Sequence, residues 1–103
     1  MVAAVVFHYL AAKEFRQARS WYARRSVRTA FRFIDAVNSA VEQLAASPQT
    51  WPLYDEQHQW FKLRKFPYLL IFRTVANRSV VIMAVAHSAR RPGYWRRRRF
   101  PFG

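Results

Sequence analysis

The spacing of apolar residues changes twice along this chain, and these changes constrain its fold more than any other feature. Residues 2–7 form a short, valine-rich apolar run, which favours a strand buried on both faces. Between Tyr9 and Arg25 the apolar residues recur every three or four positions, as on one face of a helix. From Phe61 onward the period falls to two, which is typical of strands.

Two long helices joined by very few residues are predicted before Ser47-Pro48. The apolar face of the first helix comprises Ala11, Phe15, Ala18 and Tyr22. Ser26 is a capping residue for the second helix, because its side chain can accept a hydrogen bond from a free backbone amide. The apolar stripe of the second helix comprises Ala30, Phe31, Ile34, Val37, Val41 and Leu44. Ser47-Pro48 ends it, since proline disfavours helical geometry in the preceding residue, and the two helices are expected to form an antiparallel hairpin.

Three strands are predicted after the loop 49–57. Phe61 and Leu63 alternate with Lys62 and Arg64 in the first, and residues 68–75 and 80–86 form the other two, joined by a polar turn at 76–78. Pro67 belongs at the turn between the first two strands, because it cannot donate to a sheet ladder.

The element order predicts one α+β domain spanning residues 1–103. An N-terminal strand is followed by an antiparallel helical hairpin and a three-stranded antiparallel meander, which form one small sheet with both helices on one face. The other face of the sheet is expected to be exposed or covered by a partner. The basic tail, residues 96–103, is predicted to be flexible.

Net charge narrows the classes of partner. Eighteen Lys and Arg residues against five Asp and Glu give a formal charge of +13, which calls for a polyanionic partner, either nucleic acid or an acidic protein. The chain has no cysteine, which excludes disulfides, zinc ribbons and thiol nucleophiles and agrees with a cytoplasmic location. The longest apolar runs, 1–7 and 80–86, are far shorter than the roughly 18 residues of a membrane span. We therefore expect no membrane association.

Cations and aromatic residues interleave in segment 62–68. Cations bind phosphates and aromatic rings stack on bases, so this mixture suits single-stranded nucleic acid, with Lys62, Lys65 and Arg73 as candidate contacts. An amphipathic strand with a solvated basic face would show the same pattern.

A second cluster, residues 87–95, follows the last strand. His87 stands at the strand end, and an imidazole titrates near neutral pH, as a general acid or base must. Arg90 and Arg91 can hold a phosphate, and Tyr94 can stack on a base or donate a proton. In the alternative interpretation His87 caps the strand, while Tyr94 and Trp95 fold back as a hydrophobic lid.

The arginine run 96–99 is typical of a solvated tail that attracts polyanions without specificity, and its Arg96 and Arg97 are further candidate nucleic-acid contacts.

His8, His58 and His87 lack the spacing of metal ligands, and Glu14, Asp35 and Glu42 lie on predicted helices. We therefore expect no metal and no cofactor.

Several segments together resemble the RelE/ParE toxins of bacterial toxin–antitoxin systems. The similarity extends from about Val5 to Arg97. It comprises the opening Phe7-His8-Tyr9-Leu10-Ala11, Trp21-Tyr22, the helical stretch 31–44, Ser47-Pro48 with Trp51-Pro52, the strand segment 64–73 containing Phe66-Pro67-Tyr68, and the ending Val85-Ala86-His87 through Pro92-Gly93-Tyr94-Trp95. The resemblance implies the α+β fold described above and a small, acidic, co-encoded antitoxin that forms a hetero-oligomer with this chain.

The resemblance also implies two alternative targets. One branch of the family cleaves messenger RNA on the ribosome without metal; Lys62 and Arg64 match its basic strand positions, and Tyr94 matches its late tyrosine. This chain has Leu69 and Ser88 where that branch usually has arginines, and Arg90 and Arg91 are candidate substitutes. The other branch inhibits DNA gyrase by binding alone.

Our main hypothesis is ribosome-dependent endonuclease activity. It assigns proton transfer to His87 or Tyr94 and phosphate binding to Arg64, Arg90 and Arg91. The alternatives are a gyrase inhibitor without catalysis, or a basic nucleic-acid-binding module without toxicity.

Overall fold

A computed structural model describes residues 2–75 and 79–101. The strands are β1 (Val5–Phe7), β2 (Gln59–Lys62), β3 (Tyr68–Thr74) and β4 (Val80–His87), and the helices are α1 (Tyr9–Ala23), α2 (Val27–Ala46) and a short 3₁₀ turn (Pro48–Thr50). The predicted turn at 76–78 lies outside the described residues. No described helix is long and apolar enough to cross a membrane.

The four strands form one mixed sheet in the order β1-β4-β3-β2. β2, β3 and β4 make the predicted antiparallel meander, while β1 pairs parallel to β4 with Val5 opposite Val80. A parallel neighbour requires a crossover, and the helical hairpin supplies it between β1 and the meander. The predicted α+β fold is therefore confirmed.

Both helices begin at side-chain caps. The Ser26 hydroxyl accepts a hydrogen bond from the Thr29 amide at 3.2 Å, as predicted. α1 uses a histidine instead, because Nδ1 of His8 accepts from the Leu10 amide at 3.1 Å. α2 ends at Ala46, immediately before Ser47-Pro48, which confirms the predicted stop.

The helices bury one face against the sheet, but one aromatic residue was assigned to the wrong face. Phe33 is fully buried and packs against the rings of Phe15, Tyr22 and Phe66, whereas Phe31 is 62% exposed. The prediction of Phe31 as a core residue was therefore wrong. Ala30, Val37 and Leu44 are buried as predicted, and Phe33 lies near them at helical spacing.

Two predictions for the sheet also need correction. β1 comprises only three residues at the sheet edge, and Val6 is 44% exposed, so this strand is not buried on both faces. The face of the sheet opposite the helices is not left bare either. Trp95, which is 1% exposed, packs there with Ile71, Ala84 and Ala86. Trp95 thus covers part of the face that we expected to be exposed or covered by a partner.

A β-bulge lets β4 contribute side chains to both the core beneath the helices and the group around Trp95 on the opposite face. The register between β3 and β4 shifts at Ile71/Phe72, so that Ile71 faces Ala84 and Phe72 faces Ile82. Met83 is the extra residue, and the alternation of side chains reverses there. Before the bulge Ile82 packs on the helices, and after it Ala84 faces Trp95.

Candidate functional site

The carboxylate of Glu14 on α1 binds several residues of the C-terminal segment. Its two oxygens lie 2.8 Å from Nη1 and Nη2 of Arg98, which makes a bidentate ion pair. The hydroxyl of Tyr94 donates to the same carboxylate at 2.5 Å, and Nη1 of Arg90 does so at 3.3 Å. The Glu14 and Arg98 side chains are only 10% and 11% exposed, so this network is largely shielded from water.

Glu14 and Arg98 also complete the edge of the sheet. β1 pairs with β4 only as far as Ile82, so beyond this point the edge of β4 opposite β3 faces no described strand. The Val85 amide donates to Glu14 at 3.0 Å, and the Met83 carbonyl accepts from Arg98 at 2.9 Å. Because unpaired buried backbone groups are costly, these side chains take the place of a neighbouring strand.

Tyr94 is poorly suited to act as a base in this environment. Its burial raises the pKa of the phenol, and the hydrogen bond to Glu14 raises that pKa further, above its usual range. The guanidinium of Arg90 lies 3.7 Å from the centre of the Tyr94 ring. Tyr94 therefore stays protonated at neutral pH, and its proton is directed at Glu14.

His87 lies at the end of β4, as predicted, and is half-buried. Its Nδ1 accepts from the Ala89 amide at 2.9 Å, so the neutral ring carries its proton on Nε2. The ring meets that of Tyr68 edge-on, with centroids 5.0 Å apart. Burial raises the pKa of Tyr68, as do the nearby Tyr22 and Glu14.

One groove brings together part of the predicted catalytic set. It has a volume of about 510 Å³ and lies between α1 and the ends of β3 and β4. His87 and Arg90 line it, beside the aromatic rings of Trp21, Tyr22 and Tyr68. The groove therefore combines an imidazole and a guanidinium with an aromatic wall.

Of the other predicted catalytic residues, Arg64 alone lies apart from His87 and Arg90. Arg64 lines a second groove of about 450 Å³ between α2 and β2, together with Lys62. Arg91, which is exposed, and Tyr94 line a small pocket of about 70 Å³ together with His87 and Arg90. Four of the five predicted catalytic residues therefore border this one pocket. Tyr94 adjoins Arg90 in a third groove, beside His8 and Tyr9.

The predicted nucleic-acid contacts are also dispersed. Lys62 donates through Nζ to the carbonyls of Leu63 and Phe66, at 2.7 and 2.5 Å. Lys65 is exposed and adopts a positive φ of 66° in the turn before β3.

The three remaining predicted nucleic-acid contacts are arginines. The guanidinium of Arg73 lies 4.2 Å from the Phe100 ring, Arg96 donates through Nε to Asp55 at 3.2 Å, and Arg97 is exposed. The arginine run 96–99 thus includes two residues with ion pairs, Arg96 and Arg98. The flexibility of 96–103 and the single-domain organisation stay predictions.

Asp55 makes a second polar junction with the C-terminal segment. Burial by itself would raise the pKa of its carboxyl, but hydrogen bonds from the Gln57 and His58 amides, the His58 ring and Arg96 hold that pKa well below its usual range. The His58 ring lies against Trp95, with centroids 4.6 Å apart. The carboxylate therefore anchors a loop to the segment that carries Trp95.

Sequence reasoning missed both anchoring carboxylates. Glu14 lies between Ala11 and Ala18 on the apolar face of α1, and an acid on a buried face signals a buried partner. Asp55 precedes His58 by three residues, but nothing local indicated Arg96. Within the described ranges, no cluster of three or more His, Asp or Glu residues could hold a metal ion.

The topology and the bound C-terminal segment define a small α+β protein of the RelE/ParE type. Residues 5–92 match the family described as ParE toxin of type II toxin-antitoxin system, parDE, and the chain belongs to this family. The resemblance to RelE/ParE toxins is thus confirmed, and the matching family is that of the ParE toxins.

One solved structure has a similar fold over most of both chains. A chain of the chromosomal ParDE TA system from P. aeruginosa superposes with a TM-score of 0.69 at 14% identity, over 84% of this chain and 96% of that one. At this identity the likeness shows the fold alone. No curated protein matches the chain.

Proposed function

We propose that this chain arrests bacterial growth by binding DNA gyrase, without cleaving RNA. The observation that carries the proposal is the hydrogen bond from the Tyr94 hydroxyl to Glu14. The late tyrosine that would transfer a proton in the nuclease branch is instead committed to holding the C-terminal segment. The match to the ParE family supports the same branch.

Arg90 supports this proposal as well. Its guanidinium contacts Glu14 and stacks on Tyr94, so part of its charge is already neutralised. Stabilising a phosphate transition state requires cations whose charge is directed at the developing negative charge. Leu69 and Ser88, at positions where the nuclease branch carries arginines, remove two further cations.

We also propose that the partner is a ParD-type antitoxin with an acidic surface. The solved relative comes from a ParDE system, and this chain carries eighteen basic against five acidic residues. An acidic partner would relieve the self-repulsion of such a surface. We expect a hetero-oligomer that stays in solution better than the toxin alone.

A second candidate function rests on the groove between α1 and the ends of β3 and β4. His87 and Arg90 both line it, so a general base and a cation could flank one phosphodiester there. In this alternative, the His87 proton must first move from Nε2 to Nδ1, which breaks the hydrogen bond from the Ala89 amide. Nε2 can then take the 2′-hydroxyl proton of ribosome-bound messenger RNA, while the 2′-oxygen attacks the adjacent phosphate and the 5′-oxygen leaves and takes a proton from water.

Pulse-labelling of DNA and protein synthesis after induction separates the two functions. The gyrase proposal predicts that DNA synthesis falls within minutes, with a DNA-damage response, while translation continues. Early loss of translation with cut messages would contradict it and support the nuclease.

Two variants sharpen this test. Replacing His87 by Ala should leave toxicity unchanged under the gyrase proposal and abolish it under the nuclease alternative. Replacing Tyr68 by Phe alters the same groove while keeping the ring and the imidazole, so it serves as the matched control.

A further inference from the structure

The exposed cations of the helical hairpin have no acidic partners. The exposed Lys and Arg residues of α1, α2 and their connection are Lys13, Arg16, Arg19, Arg24, Arg25, Arg28 and Arg32. Across residues 2–75 and 79–101, the ion pairs involve Arg90, Arg96, Arg98 and His58, and none of the hairpin cations. Glu14, the one acid of α1, is turned inward. α2 adds two acids, Asp35 and Glu42, so residues 9–46 carry seven basic and three acidic residues and keep an excess of positive charge.

Large apolar side chains are exposed in the same region. Trp21 is 44% exposed, and Val27 and Phe31 are each 62% exposed. The guanidinium of Arg25 lies 3.5 Å from the centre of the Trp21 ring, so cation and ring already form one stacked surface. We call residues 21–32 the hairpin tip.

We propose that the hairpin tip binds single-stranded nucleic acid, a function beyond the inhibition of gyrase proposed above. Arg24, Arg28 and Arg32 would contact phosphates, and Phe31 would stack on a base. This mixture of cations and exposed rings is the one that sequence-independent single-strand binding uses.

Two features favour nucleic acid over an acidic protein. All the cations of the tip are arginines, whose planar guanidinium groups bind phosphates in two-pronged fashion and stack on flat rings. The exposed aromatic rings add a stacking surface, which bases use and carboxylate side chains do not. Tyr22 of the tip packs edge-on against Phe66, with ring centroids 5.2 Å apart, so the tip adjoins segment 62–68, which also combines cations with aromatic residues.

Fluorescence anisotropy with a labelled oligothymidylate of about 20 nucleotides tests the proposal. The full-length chain is used after separation from its antitoxin and refolding, across a series of salt concentrations. The tip variant Arg24→Gln/Arg28→Gln/Arg32→Gln removes three charges. We expect it to bind at least about tenfold more weakly and to lower the salt slope by about two log–log units.

A charge-matched variant supplies the control. Lys13→Gln/Arg16→Gln/Arg19→Gln also removes three exposed charges, all from outside the tip. We expect it to keep most of the affinity and of the salt slope. If both variants lose the same affinity, binding depends only on the overall charge of the chain. If the control loses more affinity, the nucleic acid binds outside the tip. Either result, or no binding by the wild-type chain, overturns the proposal.

Stacking is tested at constant charge. Phe31→Leu keeps an apolar side chain at an exposed position, and Phe31→Tyr keeps the ring. We expect a loss of about fivefold or more for leucine and little change for tyrosine. Equal affinities for both variants would contradict the assignment of Phe31.

A competition experiment tests the acidic-protein alternative. Unlabelled oligothymidylate should displace the probe at much lower charge concentration than polyglutamate does. Equal displacement by the two polymers would mean that the tip recognises acidic protein, and would overturn the proposal. Circular dichroism of each variant checks that the helices are retained.

Discussion

Arginines in two regions of this molecule occupy opposite environments. In the C-terminal segment, Arg98 is nearly buried and bonds to Glu14 and to the Met83 carbonyl, and Arg96 bonds to Asp55. At the hairpin tip, Arg24 and Arg28 are exposed and form no ion pairs with any residue that the structure describes. The same residue type thus stabilises the fold in one region and leaves charge available for a partner in the other. Sequence alone made the C-terminal run appear to be the solvated one.

The largest expected effect comes from removing the Glu14 carboxylate. Replacing Glu14 by Ala leaves Arg98 and the Val85 amide without their acceptor in a water-shielded site. We expect a loss of about 3–5 kcal/mol in the free energy of unfolding, measured by urea denaturation. Glu14→Gln keeps one acceptor oxygen and should lose less. A loss below about 1 kcal/mol for the alanine variant would mean that the network is only superficial.

Adjacent arginines of the C-terminal run provide the next comparison. Arg98→Gln should lower the free energy of unfolding by about 2–3 kcal/mol, because two charge-assisted hydrogen bonds to Glu14 disappear. Arg97→Gln removes the same charge from an exposed position and should change stability by less than about 0.5 kcal/mol. Similar values for the two variants would show that the run behaves as one solvated tail.

We expect Asp55 to make a moderate, pH-dependent contribution to the free energy of unfolding. Because the folded state holds its pKa below the unfolded value of about 3.9, its stabilisation is present above that value and is lost as the pH falls through the folded pKa. Asp55→Asn should therefore be about 1–2 kcal/mol less stable than the wild type at pH 7. Urea titrations between pH 7 and pH 2 should show this difference narrowing below about pH 4. A difference that does not vary with pH would exclude the carboxylate as its source.

The smallest effect is expected at the hairpin tip. Arg24→Gln and Arg28→Gln should each change the free energy of unfolding by less than about 0.5 kcal/mol, because both side chains are exposed and neither forms an ion pair within residues 2–75 and 79–101. Thermal and urea denaturation measure this directly. A loss as large as that of Arg98→Gln would erase the contrast between the two regions.

Periodicity predicted the helices and the meander because burial imposes it directly on the sequence. Helical spacing favours Phe33 over Phe31, so the prediction of Phe31 did not follow from periodicity. Phe33 lies three residues after Ala30 and four before Val37, whereas Phe31 lies one and six residues from them. Phe33 also packs against Phe15 of the other helix, and long-range contacts of this kind leave no local pattern.

Much of the candidate site was beyond sequence reasoning for the same reason. The position of His87 at a strand end could be predicted, because strand ends follow from local patterns. The hydrogen bond of Tyr94 joins residues 80 positions apart, and the bulge at Met83 has no composition signal. The charge of Glu14 was visible, but its partners were set by how the C-terminal segment folds back.

Parallel assays with one preparation of the full-length chain test the central claim most directly. The chain is added to purified DNA gyrase in a supercoiling assay and to ribosomes translating a defined message. Our account predicts that supercoiling is inhibited while the message stays intact, and that the His87→Ala variant behaves in the same way. Cleaved message with unaffected supercoiling, lost on His87→Ala, would contradict it.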